Sequence, residues 1–439
     1  IEATEMEKFV LRTERTNLIK QNEEMKLSLQ LIQAYSQKEK KMIQEQHAAF
    51  EAEFNKSKGV GGDSKGLEKL LISSDELDAQ DSIGKGSFGE VFKGKYHGST
   101  VAVKTMRSIE EESLERFRDE IILQAGLHHD NIVKLLGAVW DTKLMALVME
   151  FCEKGTAQNV LSSEGQSLTF KDPLLKWCLD CARGMKYLHS MKYFDVKQNR
   201  TVNGIIHRDL KPDNCLITGN YSLKISDFGE AREVDDELTM TQVGTPLYVA
   251  PEILKGYRYS NKADVYSFGL TVLQFALGRM RLKAYLQLSL PTKGRTTVSA
   301  SFINHKMTAN NWRPSISSLK EDGTPGCIVD LIKLCWLEDP EERPSFEEIE
   351  KYLHRDAKME IFDIEGTELG STTSHRRSSA SGHLSLGMRI AKIQADDSRQ
   401  QLDQGDIEFW KKRVAELEER VEQLMANSKS SSSCSSTKT

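Results

Sequence analysis

Apolar residues recur every seven positions near the start of the chain. Four residues carry this repeat: Leu11, Leu18, Met25 and Ile32. They lie in residues 6–54, a stretch rich in Glu, Lys and Gln that contains neither Pro nor Gly. Because a seven-residue repeat is the period of helices that wind around one another, the pattern predicts a coiled coil over residues 1–56. The second seam of the repeat is largely polar, so a single solvated helix stays open as the alternative.

A second apolar repeat lies near the end of the chain. Its steps alternate between three and four residues, and its members are Ile407, Trp410, Val414, Leu417, Val421 and Leu424. This spacing predicts a helix with a short coiled coil over residues 389–426. Charged and amide side chains flank the seam, which favours pairing with a second copy of the chain as a homodimer. Docking on the globular part of the chain and pairing with the N-terminal helix are the alternatives.

The sequence between these helices divides by composition. Residues 57–73 form a Gly-rich flexible linker, residues 74–356 have a globular composition, residues 357–388 are a Ser/Thr-rich and disordered linker, and residues 427–439 are a Ser-rich tail. Within the globular part, β-prone runs come first and long amphipathic helical runs follow. The pattern predicts an α+β architecture with a small β-rich lobe ahead of a larger helical lobe.

Composition narrows the class of protein. Lys and Arg total 60 and Asp and Glu total 65, for a net charge of −5, whereas a nucleic-acid-binding domain is usually basic. The seven cysteines are scattered and odd in number, which indicates a reducing compartment and a cytoplasmic location. No apolar run is long enough to span a bilayer, so no integral membrane segment is predicted.

A glycine-rich loop is the first candidate for chemistry. Residues 83–91 read Ile-Gly-Lys-Gly-Ser-Phe-Gly-Glu-Val, with Gly84, Gly86 and Gly89 where backbone N–H groups could approach phosphate oxygens closely. A dinucleotide-binding turn shares this spacing but starts a helix next. Here β-prone residues follow, which favours a loop between two strands.

A cation follows the loop in sequence. Residues 101–104 are a β-prone run that ends in Lys104, and a lysine that reaches the phosphates of a triphosphate needs an acidic partner to hold it. Glu120 on the next helical stretch is the favoured partner. Asp119 competes with it, but the two lie about 100° apart around a helix, so only one of them can face Lys104.

The most specific pattern spans residues 206–216, Ile-His-Arg-Asp-Leu-Lys-Pro-Asp-Asn-Cys-Leu. Phosphoryl transfer needs a carboxylate that accepts the hydroxyl proton, and Asp209 fits this role. Lys211 can neutralise charge on the transferring group. Asn214 and the Asp227 of an Asp-Phe-Gly sequence supply oxygen ligands for Mg²⁺. An Ala-Pro-Glu sequence at residues 250–252 completes the ordered set of protein-kinase motifs.

Residues 74–356 therefore resemble the eukaryotic protein kinase family. The sequences at 264–269 and 335–346 are similar to those of its tyrosine kinase-like group, such as mixed-lineage and Raf-type kinases. The resemblance implies a bilobal protein kinase fold, flanked here by the helical coiled-coil segments. It also implies ATP and Mg²⁺ as cofactors and serine or threonine residues of proteins as substrates.

The resemblance carries further roles to this sequence. It implies that adenine lies between Val91, Ala102 and Leu216, with Ile83 in the glycine-rich loop above it. The backbone from Glu150 to Cys152 is expected to bind adenine, with Met149 beside the back pocket. It also implies that His207 and Phe228 join a buried spine and that Glu252 pairs with Arg343. Gln124 departs from the pattern, since that spine position is usually apolar.

Two further expectations concern specificity and control. In the family, Lys211 followed by Pro212 marks serine/threonine specificity, and Thr245 is expected to bond Asp209 and Lys211. Arg208 is placed to pair with a phosphate on Thr239 or Thr241. Dual specificity stays open as an alternative. A pseudokinase scaffold is a second alternative, which the complete set of catalytic residues argues against.

Overall fold

The computed structural model describes most of the globular chain. It covers residues 40–52, 70–85, 89–106, 110–141, 144–195, 200–233, 247–290 and 299–362, with separate helical positions in 25–38 and 386–390. The helix of residues 40–52, the first continuous described element, is α1.

The small lobe is built on a five-stranded antiparallel sheet. Its strands are β1 (Leu77–Lys85), β2 (Glu90–Tyr96), β3 (Ser99–Thr105), β4 (Leu135–Trp140) and β5 (Met145–Glu150), in the order β1-β2-β3-β5-β4. Both faces of β3 are covered, since Val101 and Val103 are fully buried on one face and Ala102 and Lys104 are buried on the other. Helix α2 (Glu111–Ala125) completes this lobe.

Helices dominate the large lobe. They are α3 (Ala157–Glu164), α4 (Leu174–Ser190), α5 (Pro251–Leu254), α6 (Lys262–Leu277), α7 (Leu282–Ser289), α8 (Ala300–Ala309), α9 (Gly326–Cys335), α10 (Phe346–Tyr352) and α11 (Lys358–Phe362). A π-helical turn at Leu353–Ala357 joins the last two. The apolar stripe of α4 explains its position, because Trp177, Cys181 and Met185 follow helical spacing and are fully buried.

Helix α6 lies at the centre of the large lobe. Every residue from Ala263 to Phe275 is buried, which matches the nearly continuous apolar sequence of this helix. Next to it, Arg343 makes a two-pronged ion pair with Glu252, at 2.7 Å from Nη1 and 2.9 Å from Nη2. The pairing implied by the family resemblance is therefore present, and it ties the Ala-Pro-Glu segment to the lobe.

Short strands position the loops between the lobes. Strands β6 (Gly155–Thr156), β10 (Cys215–Ile217) and β11 (Leu223–Ile225) form one small sheet, and β9 (Ile205–Ile206) pairs with β12 (Arg232–Glu233). The segment of residues 191–204, which precedes the catalytic loop, contains the antiparallel hairpin of β7 (Lys192–Asp195) and β8 (Arg200–Asn203).

The flanking segments differ in part from the sequence expectation. Residues 40–52 are helical, and their buried side chains Ile43 and Phe50 pack against the small lobe. The start of the linker predicted over residues 357–388 is helical, since α11 spans Lys358–Phe362 and buries Ile361. Leu386 and Ile390 also join the core of the large lobe. The repeats at 11–32 and 407–424 lie largely or wholly outside the described residues.

Among the described helices, none combines the length and the apolar character needed to cross a bilayer.

Candidate active site

The glycine-rich loop joins β1 to β2. Gly84 pairs with Val91 across the two strands, and Gly86 lies outside the described residues. At Gly89, a Cβ atom would lie 1.4 Å from the backbone oxygen of Thr105, so no side chain fits without moving β3. At Gly84 the same atom would meet nothing within 4 Å among the described residues. Gly89 is thus required by close backbone approach, whereas Gly84 leaves space above the cleft.

One lysine connects three elements at the cleft. The Nζ of Lys104 on β3 lies 2.8 Å from Oε1 of Glu120 on α2 and 2.7 Å from Oδ1 of Asp227. Asp119 does not share this position, since its carboxylate lies 3.4 Å from Arg118. The geometry therefore selects Glu120 over Asp119 as the partner of Lys104.

Lys104, Glu120 and Asp227 shift one another's pKa values. Burial opposes the charge on Lys104, but the carboxylates of Glu120 and Asp227 outweigh it and hold the pKa of Lys104 well above its ordinary value. Burial likewise opposes the charge on Asp227, yet the Lys104 ammonium keeps the pKa of that carboxyl below its ordinary value. Burial and the neighbouring negative charge of Asp227 raise the pKa of Glu120 above its ordinary value, although the Lys104 ammonium acts in the opposite direction. The lysine is held as a cation facing the cleft.

The catalytic loop gathers two polar side chains around one carboxylate. Oδ2 of Asp209 accepts hydrogen bonds from Lys211 Nζ at 2.5 Å and from Asn214 Nδ2 at 2.9 Å. The same amide nitrogen donates to the backbone oxygen of Asp209 at 2.8 Å. These contacts fix the side chain of Asp209, which is 8% exposed and so remains within reach of the cleft.

Asp264 anchors the backbone of the catalytic loop, although it was not among the predicted site residues. Asp264, fully buried on α6, accepts hydrogen bonds from the backbone N–H groups of His207 and Arg208, each at 2.9 Å. His189 Nε2 lies 2.8 Å from the same carboxylate. Its sequence position could have indicated this role. A single acidic residue in an apolar helical run is expected to be buried, and a buried charge needs polar partners.

The Asp-Phe-Gly segment is tied to the catalytic loop. Ser226 donates to the backbone oxygen of Asn214 from its backbone nitrogen at 2.9 Å and from its hydroxyl at 3.0 Å. The rings of His207 and Phe228 meet edge to face at 5.4 Å between centroids. Asp227 itself has φ of 66°, an unusual conformation for a residue other than glycine. These contacts set the direction in which the Asp227 carboxylate points.

The expected adenine site lies between the lobes. Ala102 pairs with Met149 across β3 and β5, and both are buried. Val91 and Leu216 are half-buried and Ile83 is 48% exposed. The backbone N–H of Glu150 is already used by the Lys134 carbonyl, at 3.0 Å.

The side chains of Glu150 and Cys152 are each held by their surroundings. The Glu150 carboxylate accepts a hydrogen bond from Lys224 Nζ at 2.9 Å. Cys152 is 5% exposed, and burial raises the pKa of its thiol to about 12, so the sulfur is an unreactive thiol at neutral pH. The backbone from Glu150 to Cys152, rather than these side chains, stays the predicted contact for adenine.

Gln124 occupies the spine position that departs from the family pattern. It is 1% exposed, and its Nε2 donates to the backbone oxygen of Val133 at 3.3 Å and lies 3.8 Å from the sulfur of Met149. Its Oε1 has no hydrogen-bond partner within the described part of the chain. The polar side chain is thus half-satisfied beside the residue expected to border the back pocket.

Among the four residues predicted to have regulatory roles, Arg208 is the one that the structure describes. The Arg208 guanidinium lies 5.7 Å from the ring centre of Tyr259, and the residue is 8% exposed. Thr239, Thr241 and Thr245 lie outside the described residues, so their roles stay predictions.

The donor atoms of the site fit a hard divalent cation. Asp227 offers a carboxylate, and Asn214 offers an amide oxygen because its amide nitrogen is engaged by Asp209. Mg²⁺ prefers oxygen ligands of this kind and is commonly held by one or two side chains together with phosphate oxygens. The site chemistry therefore matches Mg²⁺ bound with a nucleotide.

Comparison with known proteins agrees with this geometry. A family model described as "Protein kinase domain" matches residues 77–354. A probable serine/threonine-protein kinase of Dictyostelium discoideum is 34% identical over 292 residues, which cover 64% of this chain and 20% of the relative.

Two relatives carry more specific names. A mitogen-activated protein kinase kinase kinase of Drosophila melanogaster is 33% identical over 313 residues, covering 69% of this chain and 24% of the relative. Mitogen-activated protein kinase kinase kinase 7 of Homo sapiens is 34% identical over 284 residues, covering 64% of this chain and 42% of the relative. The chain spans less than half the length of each of these relatives.

Proposed function

We propose that this chain, which belongs to the protein kinase domain family, transfers the γ-phosphoryl group of ATP to serine or threonine hydroxyls of protein substrates. The observation that carries the proposal is the bridge from Lys104 to both Glu120 and Asp227. It joins the sheet, the helix α2 and the Asp-Phe-Gly segment in the arrangement that phosphoryl transfer requires. Relatives named as serine/threonine-protein kinases support the same hydroxyl class.

Asp209 is proposed as the residue that acts on the substrate hydroxyl. Its carboxylate orients the hydroxyl and accepts the proton as the new oxygen–phosphorus bond forms. The bond between the γ-phosphorus and the oxygen of ADP breaks in the same displacement. Lys211, 2.5 Å from Asp209, carries positive charge where negative charge on the transferring group must be neutralised.

Lys104, Asp227 and Asn214 are proposed to hold the nucleotide and its cation. Lys104 binds the phosphates while Glu120 keeps it in place, and the oxygens of Asp227 and Asn214 ligate Mg²⁺. When bound, Mg²⁺ neutralises charge on the phosphate oxygens. Ile83, Gly84, Gly86, Gly89, Val91, Ala102, Met149, Glu150, Cys152 and Leu216 complete the proposed ATP-binding site.

A peptide assay tests the class of hydroxyl. The purified full chain is incubated with Mg²⁺ and ATP labelled at the γ-phosphate, using matched peptides that differ only in Ser, Thr or Tyr at the acceptor position. The proposal predicts label on Ser and Thr peptides. Label on the Tyr peptides at a comparable rate would replace it with dual specificity, and no label on any peptide while ATP binds would favour the scaffold alternative.

Homodimerisation through the coiled coils, a cytoplasmic location and activation by phosphate on Thr239 or Thr241 are proposals that rest on sequence. The dimer proposal rests on the apolar repeat at residues 407–424. Light scattering on the full chain tests it, and a monomer at all workable concentrations would contradict it.

A further inference from the structure

Helix α1, residues 40–52, is seated on the outer surface of the small lobe. Phe50 is fully buried, and its ring stacks on Trp140 with centroids 5.2 Å apart and an angle of 11° between planes. Ile43, two turns earlier on the same side, is 4% exposed. Both belong to one apolar cluster with residues of α2 and of strands β4 and β5.

The partner surface on α2 is well defined. Leu114, Phe117 and Ile121 follow helical spacing and are buried in the cluster that contains Phe50. The Phe117 ring lies 5.5 Å from that of Trp140, which makes Trp140 the shared contact of α1 and α2. A polar contact adds to this packing, because Arg118 Nη1 donates to Gln46 Oε1 at 3.3 Å.

An adjoining side of α2 faces the cleft. Glu120 lies one residue before Ile121, about 100° around the helix, and it reaches Lys104 at 2.8 Å. Within the described part of the chain, no side chain caps the start of α2, since Glu110 at that position makes no capping hydrogen bond. The position of α2 is therefore set by the packing of its apolar side rather than by its N-terminus.

We propose that α1 is a positioning element for the active site, in which Phe50 and Ile43 hold α2 so that Glu120 stays paired with Lys104. The inference rests on the proposed kinase function and extends it, since it makes the N-terminal segment an activator in cis. Detachment of α1 opens the apolar side of α2 to water and lets Glu120 move away from Lys104. The contact between Glu120 and Lys104 is then lost, while the catalytic loop in the large lobe keeps its structure.

Full-length variants test this inference. Phe50→Ala removes the stacked ring, Phe50→Leu keeps an apolar side chain, and Glu45→Ala is the matched control on the same helix. Glu45 is 67% exposed and pairs with Lys41 one turn away, so it does not contact the lobe. We expect Phe50→Ala to lower kcat about tenfold or more. The free energy lost when a packed ring is removed is larger than the free energy that corresponds to a tenfold change in rate. Phe50→Leu should recover most of the rate, and Glu45→Ala should match the unaltered chain.

A second background separates positioning from general loss of stability. If Phe50 acts through Glu120, then Phe50→Ala has little further effect on single-turnover rates in a chain that already carries Glu120→Gln. Equal fold-losses in both backgrounds would overturn the inference. So would an unchanged kcat in Phe50→Ala when hydrogen exchange shows that α1 has detached.

Hydrogen exchange provides the readout of position and folding. Phe50→Ala should increase exchange in residues 111–125 and leave residues 262–277 of the large lobe protected. If Phe50→Ala fails to fold, Ile43→Val, which deletes one methylene, carries the same test with a smaller expected change. An unaltered chain without phosphotransfer would overturn the proposed function, whereas an active chain indifferent to α1 would overturn this inference alone.

Discussion

The buried carboxylate of Asp264 accepts a hydrogen bond from the backbone N–H of Arg208 at 2.9 Å. Arg208 has φ of 69°, a conformation that costs energy for a residue other than glycine. Asp264 also binds the N–H of His207, so two consecutive backbone donors of the catalytic loop are satisfied by one side chain. A helix of the large-lobe core thereby fixes the backbone that precedes Asp209.

The change Asp264→Asn tests this relationship. The Asn amide group presents a donor where the carboxylate presented an acceptor, so at least one backbone N–H loses its partner inside the core. We expect a loss of about 3 kcal/mol in the free energy of unfolding, since hydrogen bonds to a charged group contribute about 1.5–3 kcal/mol each. Urea unfolding measures it. A loss below about 1 kcal/mol would show that Asp264 does not support the loop.

Asp264 also predicts a pH dependence of stability. Burial opposes its ionisation, but His189 and the backbone donors outweigh burial and hold the pKa of Asp264 below its ordinary value. A lowered carboxyl pKa contributes stability above the unfolded pKa, about 4, and the contribution disappears as pH falls through the folded pKa. Melting temperatures from pH 7 to pH 3 should therefore fall more steeply in the unaltered chain than in Asp264→Asn. Parallel curves would contradict the assignment.

Two glycines of the phosphate loop should respond differently to alanine. A Cβ at Gly89 would lie 1.4 Å from the Thr105 backbone oxygen, so Gly89→Ala must displace β3, which carries Lys104. Gly84→Ala meets open space and serves as the matched control. We expect Gly89→Ala to weaken ATP binding about tenfold or more and Gly84→Ala to weaken it less, because overpacking against backbone costs about 1–3 kcal/mol. Calorimetric titration with Mg·ATP distinguishes the two, and equal affinities would contradict the close-approach argument.

The ion pair of Arg343 and Glu252 predicts a non-additive double-mutant cycle. Arg343 is fully buried and binds both carboxylate oxygens, so Arg343→Ala leaves Glu252 charged in the core. Removal of one partner should cost about 3–5 kcal/mol, as for other buried pairs. The double variant Arg343→Ala with Glu252→Gln should recover part of that loss in denaturant unfolding. Strictly additive losses would indicate that the two side chains are not coupled.

Local motifs indicated which residues lie together at the candidate site. Lys104, Glu120, Asp209, Asn214 and Asp227 were singled out because each chemical role demands a residue type at a short, fixed distance along the chain. The choice between Glu120 and Asp119 needed the structure, since helix spacing excludes a shared position but does not say which side faces β3. The strands and the large helices also followed from their periodicity, and the family match over residues 77–354 agrees with the expected domain.

Contacts between distant parts of the chain were less accessible from sequence. Ile43 and Phe50 are seven residues apart, so they continue the spacing expected of a coiled coil, and periodicity alone does not say what covers an apolar stripe. Here the cover is α2 and Trp140. Asp264 was visible as an acid in an apolar run, but its partners His207 and Arg208 lie 57 and 56 residues away.

Single-turnover phosphotransfer by Asp209→Ala tests the central claim most directly. The full chain and this variant are each mixed with Mg·ATP and a serine peptide, and the phosphorylated peptide that forms is quantified. ATP affinity is measured in parallel. Because Asp209 is the proposed acceptor of the hydroxyl proton, the rate should fall by about 10²–10⁴ with ATP affinity nearly unchanged. A variant that retains a rate within threefold of the unaltered chain would contradict the account.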